Sequence, residues 1–139
     1  MQVRDAMAKT IATASPTDTV RRVAQLMKQQ KAGFIPITEG ERLRGVVTDR
    51  DLVVRCLAQG HGNPLDETIE HCMSTGIRTV DPNADLETAA SIMEEEEVRR
   101  LAVVENGRLV GVLSHGNLVQ ATRGEGPAQR ATVGVTEGA

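Results

Sequence analysis

The chain has 139 residues, 40% of them apolar, enough to bury a core without metal or disulfide staples. One Phe and no Tyr or Trp make that core aliphatic, built from Val, Leu, Ile, Met and Ala. A net charge of −3 with both signs intermixed excludes the basic footprint of a nucleic-acid binder, and no apolar run approaches the roughly 18 residues that span a bilayer.

The first ten residues, MQVRDAMAKT, hold no hydrophobic stretch, so no secretory signal is expected and the cytoplasm is the expected compartment. Cys56 and Cys72 lack CxxC spacing. In a reducing compartment they read as two unpaired, buried or incidental thiols. A disulfide is the sharper alternative, and His71 beside Cys72, with His61 nearby, leaves a metal pair as another.

The chain is a duplication with an offset of 66 residues. Met7 matches Met73, and the register runs without a gap to Val53 and Val119. Ile11 meets Ile77, Thr13 meets Thr79, Pro16 meets Pro82, Ala24 meets Ala90 and Met27 meets Met93. Leu43 meets Leu109, Gly45-Val46 meets Gly111-Val112, and Leu52-Val53 meets Leu118-Val119.

Each repeat opens with a short extended piece, Ile11–Ala14 or Ile77–Val80, followed by a Pro turn. An amphipathic helix follows, with Val20, Val23, Ala24 and Met27 in one copy and Leu86, Ala89, Ala90 and Met93 in the other. Thr17 or Asp18 is the expected cap of the first helix, Asn83 or Asp85 of the second. Two strands come next in each copy, Phe34–Thr38 with Leu43–Thr48 and Leu101–Val104 with Leu109–Ser114. Asn106-Gly107 is a strong hairpin signal. A last helix starts near Asp49 and near His115. The unit is therefore β-α-β-β-α, too small to be comfortable alone, and two copies packed sheet against sheet remedy that. The repeats run over 1–66 and 67–123; residues 124–139 have no periodic apolar pattern and are expected to be a disordered tail.

The chemistry concentrates where the second strand of each hairpin ends. Gly45-Val46-Val47-Thr48-Asp49-Arg50-Asp51 and Gly111-Val112-Leu113-Ser114-His115-Gly116-Asn117 both follow one pattern: Gly, two aliphatics, a hydroxyl residue, two variable residues, then Asp or Asn. One reading is purely structural. Thr48 and Asp51 stand in the capping-box arrangement, and Ser114 and Asn117 repeat it more weakly. The other uses the same physics for a ligand: the start of a helix offers free N–H groups and positive potential to a phosphate.

This pattern, with the repeat order and unit length, resembles the CBS motif over residues 3 to about 122. CBS motifs occur in tandem, and a pair forms a compact unit called a Bateman module. The resemblance implies an α+β fold, two motifs packed as a pseudo-two-fold pair through their sheets. It also implies that Thr48 or Ser114 contacts phosphate and that Asp51 or Asn117 holds ribose hydroxyls. Adenine would then lie between aliphatic side chains, with Val46, Ile11 and their repeat mates in that role.

The repeats are unequal. Asn117 has no charge and fewer acceptor sites than Asp51, so the cleft around Asp51 is expected to bind more tightly. Arg99 and Arg100 resemble the basic phosphate ligands that, in CBS pairs, cross to the cleft of the other repeat's Asp; Gly33 and Phe34 stand at the matching positions. Arg50 is a candidate cation for the weaker cleft. A salt-bridged surface with Glu94–Glu97 is the plainer reading of Arg99 and Arg100.

The expected function is a regulatory ligand-sensing module for an adenine nucleotide or adenosyl compound, with AMP, ADP, ATP and S-adenosylmethionine as candidate ligands and no required cofactor or metal. A homodimer and a separate effector protein are the expected partners, without nucleic acid or membrane. The alternative is a stress-related interaction protein with vestigial clefts. No HExxH, P-loop, CxxC or GxSxG is present, and Ser114-His115 is the best catalytic-looking pair, so no enzymatic activity is expected.

Overall fold

A computed structural model describes residues 1–58 and 62–123. His61 and the expected disordered tail at 124–139 lie outside the described residues. In chain order the elements are α1 (Val3–Ala6), α2 (Val20–Gln30), β1 (Phe34–Glu39), β2 (Arg42–Thr48), α3 (Asp49–Asp51), α4 (Leu86–Glu96), β3 (Arg100–Glu105), β4 (Arg108–Ser114) and α5 (His115–Thr122). α3 runs into a π-helical segment, Leu52–Leu57, and 3-10 turns sit at Pro64–Asp66 and Ile69–His71. Helix and antiparallel hairpin alternate as the repeat pattern requires.

The chain divides into two compact units, one of Ala12–Ile77, the other of Met1–Ile11 with the described residues from Arg78 to Arg123. The repeats of the sequence, 1–66 and 67–123, thus mark the duplication rather than the packing. Each leading Met-containing segment joins the unit of the other repeat. Periodicity reveals that a segment is repeated but not which copy it packs on.

In the unit Ala12–Ile77, α2 buries Val20, Val23, Leu26 and Met27. They share a core with Ile35 and Ile37 of β1, Val47 of β2, Ile69, and the two cysteines. In the other unit α4 buries Leu86, Ala89, Ile92 and Met93. Leu101, Val103, Leu113, Val80, and Val3 and Ala6 of α1 complete that core. Leu26 and Ile92 take the buried places expected of Ala24 and Ala90, which are half-buried; the buried face carries positions 23, 26 and 27 in one helix and 89, 92 and 93 in the other, and the two alanines sit at its edge.

The first helix is capped by Thr19, whose hydroxyl accepts from the Arg22 N–H at 3.1 Å, and not by Thr17 or Asp18. Asp18 Oδ2 instead accepts from the Ser15 N–H at 2.8 Å, which closes the Pro turn. Asp85 holds the N-cap position of α4. The extended pieces that open the repeats are not full strands. Ala14 bridges in parallel to Ile37, and Val80 to Val103, one residue pair in each unit. The Pro that follows two residues later carries no N–H, which ends the ladder.

The hairpins match in detail. β1 pairs with β2 from Phe34–Thr48 to Glu39–Arg42, and β3 with β4 from Arg100–Ser114 to Glu105–Arg108. Each has a bulge at the same place, between Ile37 and Thr38 and between Val103 and Val104. Asn106 and Gly107 both adopt positive φ, 54° and 80°, as the tight two-residue turn demands.

Gly45 of β2 and Gly111 of β4 serve a common purpose. A Cβ at Gly45 would lie 2.6 Å from the Ser74 carbonyl oxygen and 3.1 Å from Met73 Sδ. A Cβ at Gly111 would lie 2.5 Å from Met7 Sδ and 2.9 Å from the Ala8 carbonyl oxygen. Both glycines let a Met-containing strip lie against the hairpin, where Ser74 and Val46, and Ala8 and Val112, exchange backbone hydrogen bonds of 2.8–3.0 Å. Gly45→Ala is therefore expected to cost about 1–3 kcal/mol of stability by forcing the strip outward, measured as a lowered urea midpoint.

Candidate ligand-binding site

The corner between β2 and α3 is built from the backbone up. The Asp49 N–H donates to the Gly33 carbonyl at 3.0 Å, which fixes the chain as it leaves the strand. Thr48 has extended φ and ψ, −105° and 164°, so its side chain faces the first turn of the helix. Its Oγ1 accepts from the Asp51 N–H at 3.1 Å, and Asp51 Oδ2 accepts from the Thr48 N–H at 2.9 Å. The capping box read from the sequence is formed.

Two further groups approach Asp51. Ser74 Oγ donates to the carboxylate at 3.3 Å to Oδ2 and 3.4 Å to Oδ1. Arg55 Nε lies 3.8 Å from Oδ1, one helical turn on, and its Nη1 donates to the Met73 carbonyl at 3.3 Å. Oδ2 is thus engaged by its own backbone, while Oδ1 has only the longer contacts. A carboxylate oxygen has two lone-pair sites, so Oδ1 keeps acceptor capacity for a ligand hydroxyl. The Asp51 side chain is 14% exposed, within reach of solvent yet shielded enough for a hydrogen bond to count.

The corner between β4 and α5 repeats the geometry with different chemistry. The His115 N–H donates to the Arg99 carbonyl at 2.7 Å. Ser114 Oγ accepts from the Asn117 N–H at 2.9 Å, and Asn117 Oδ1 accepts from the Ser114 N–H at 3.0 Å. Ser114 and Asn117 are buried at 4% and 5% exposure. One turn further, Gln120 is buried, and its Oε1 has no hydrogen-bond partner among the described residues.

The candidates sort by unit. Val46, Thr48, Arg50 and Asp51 lie in one; Ile11, Arg99, Arg100, Ser114 and Asn117 lie in the other. Val46 is buried on β2, Arg50 is exposed and Ile11 is half-buried. Arg99 and Arg100 flank the Ser114 corner of their own unit through the His115–Arg99 bond and the Arg100–Ser114 pairing. Sequence reasoning missed Ser74 and Arg55 as partners of Asp51. The i,i+4 spacing of Asp51 and Arg55 was legible. Ser74, 23 residues away, carried no local signal.

Cys56 and Cys72 form a disulfide, with Cα atoms 5.8 Å apart, which corrects the expectation of two unpaired thiols. Ile69, Cys56 and Cys72 lie in one core with the buried face of α2, a proximity that spacing alone could not show. Among the described residues no group of three or more His, Cys, Asp or Glu side chains is placed to hold a metal ion. No described helix is long and apolar enough to cross a membrane.

The difference in burial between the corners sets different costs for losing the hydroxyl. Thr48→Ala is expected to lose about 1 kcal/mol, the usual value of an N-cap that water can partly replace. Ser114→Ala strands a buried N–H and is expected to lose about 1–3 kcal/mol. Denaturant titration of the two variants checks the order.

A family model described as the CBS domain matches the chain twice, at residues 3–57 and 69–124. The CBS domain-containing protein YhcV of Bacillus subtilis (strain 168) is 39% identical over 116 residues, which cover 84% of this chain and 81% of that protein. The crystal structure of Hypoxic Response Protein I with two coordinated zinc ions superposes with a TM-score of 0.79 at 32% identity, covering 86% of this chain and 98% of that one. The crystal structure of CBSX2 in complex with AMP superposes with a TM-score of 0.78 at 27% identity, covering 88% and 96%. With both repeats matched and both strand-to-helix corners formed, the chain belongs to the CBS domain family as a tandem pair of CBS motifs.

Proposed function

We propose that the protein is a regulatory module, without catalytic activity of its own, that senses an adenine nucleotide or adenosyl compound at the Thr48–Asp51 corner. The observation that carries this reading is the state of Asp51. One carboxylate oxygen closes the cap and the other retains acceptor capacity, beside a helix start and a threonine hydroxyl. A ribose diol needs such an acceptor, and a phosphate suits the positive potential of the helix start and the exposed Arg50 nearby. The AMP complex of CBSX2 supports the ligand class. Asn117 and Ser114, uncharged and buried, form the weaker corner. Arg99 and Arg100 remain proposed phosphate ligands.

A ligand there acts by its differential affinity for two conformational or assembly states, and the output passes to an effector protein. The cytoplasm is the proposed compartment, and a homodimer the proposed assembly. Light scattering at micromolar concentration is expected to give about twice the chain mass of 14.9 kDa; a monomer mass removes the dimer from the proposal.

Isothermal titration with AMP, ADP, ATP and S-adenosylmethionine tests the ligand. At least one is expected to bind saturably. Asp51→Asn should weaken it roughly tenfold, a loss typical of a hydrogen bond to a charged group. This variant keeps the cap, because Asn117 closes the same box in the other unit. No heat and no thermal shift with any of the four at millimolar ligand sinks the reading.

A second reading, a stress-related interaction protein with vestigial ligand sites, is favoured by the exposed Val53, Val54 and Leu57 on the π-helical segment and by the likeness to Hypoxic Response Protein I. On that reading, charged substitutions at these three residues abolish cellular activity and Asp51→Asn does not.

A further inference from the structure

We propose that Cys56 and Cys72 form a thiol–disulfide switch that sets the affinity of the Thr48–Asp51 corner, with the disulfide as the tight-binding state. The proposal rests on the ligand reading above and names its regulation.

The disulfide joins the two pieces of chain that hold Asp51. Cys56 lies on the segment Leu52–Leu57 that continues the helix of Asp51 and also carries Arg55. Cys72 lies two residues before Ser74. The strip from Cys72 to Ser74 touches the corner at every step. Met73 offers its carbonyl to Arg55, Ser74 bonds Val46 through both backbone groups, and Ser74 Oγ reaches the Asp51 carboxylate. The covalent link fixes one end of this strip to the helix; the hydrogen bonds fix the other.

The duplication supplies an internal comparison. The repeat mates of Cys56 and Cys72 are Thr122 and Ala6, which cannot form a covalent link. There α5 is α-helical from His115 to Thr122. In the disulfide-bonded copy the matching run is π-helical, and the Ala58 N–H donates to the Val53 carbonyl five residues back at 3.1 Å. A π-helical turn closes its hydrogen bond over one more residue than an α turn and occurs mostly as a single turn, frequently at functional sites. The structure thus associates the wider turn with the tether. Release of the tether lets the run return to α spacing, which rotates Arg55 and Cys56 relative to Asp51 and loosens the Cys72–Ser74 strip.

A dithiol of the thioredoxin or dithiothreitol class supplies the electrons. One thiolate attacks Cys56 or Cys72 Sγ, the S–S bond breaks, and a mixed disulfide forms. The second thiolate displaces the remaining cysteine. Cys56 and Cys72 end as two thiols, gaining two electrons and two protons, and the reductant ends as a disulfide. Both cysteines are buried, at 0% and 1% exposure, so reagents reach them through local opening, which governs the rate and not the direction.

The test uses the full chain, air-oxidised or reduced with dithiothreitol, and AMP as the probe. In the ligand-free protein, amide exchange at Val46 and Ser74 is expected to accelerate at least tenfold on reduction. AMP affinity is expected to fall roughly tenfold, within the usual range of coupling between two sites. A Cys56→Ala, Cys72→Ala double variant should match the reduced protein and ignore dithiothreitol; the wild-type comparison stands by itself if that variant does not fold. Equal AMP affinity in the two states, a higher affinity after reduction, or unchanged amide exchange overturns the switch. Accelerated exchange with no binding of AMP, ADP, ATP or S-adenosylmethionine in either state overturns the nucleotide reading and leaves the redox clamp standing.

Discussion

Between the Gly45 Cα and the Ser74 carbonyl there is room for a hydrogen atom and nothing larger, since a Cβ would lie 2.6 Å from that oxygen. The approach lets Val46 and Ser74 exchange both backbone hydrogen bonds, so that the strip preceding them lies along β2. Ser74 is then carried to Asp51, and Cys72 to Cys56. The site and its tether both depend on this one backbone contact. Gly111 does the same for Met7 and Ala8 in the other unit, which makes the glycine a requirement of the repeat and not of one copy.

On that shared scaffold the two copies have diverged. Both strand-to-helix corners close a reciprocal cap, and both hairpins bulge at one place. The chemistry at equivalent positions differs: a carboxylate that solvent reaches in one copy, a buried carboxamide in the other. Gly33 and Phe34 precede one hairpin and Arg99 and Arg100 the other. A duplicated fold tolerates this because the cap needs only an acceptor, which Asp and Asn both provide. A charged, partly free oxygen is a separate property, found at Asp51 and not demanded by the helix.

The capping box and the proposed ligand site are therefore not rival explanations of Thr48 and Asp51. A helix start must satisfy its first N–H groups, and one Asp51 carboxylate oxygen takes the N–H of Thr48. The second oxygen is surplus to the helix. Ser74 and Arg55 hold it at 3.4 and 3.8 Å, distances at which a better donor can displace them.

Sequence alone determined the duplication, the order of helix and hairpin in each copy, the turn at Asn106-Gly107 and the two capping boxes. Each of these rests on contacts between residues close in the chain or on a 66-residue periodicity that survives in the letters. Tertiary structure decided the rest. It assigned Met1–Ile11 to the unit of the second repeat, joined Cys56 to Cys72, and brought Ser74 to Asp51. It moved the first cap to Thr19 and placed Leu26 and Ile92 where Ala24 and Ala90 were expected. These outcomes depend on which surfaces meet after the chain has turned back on itself. A local pattern shows that a strip of chain is apolar and extended; only packing decides which hairpin, through which glycine, accepts it.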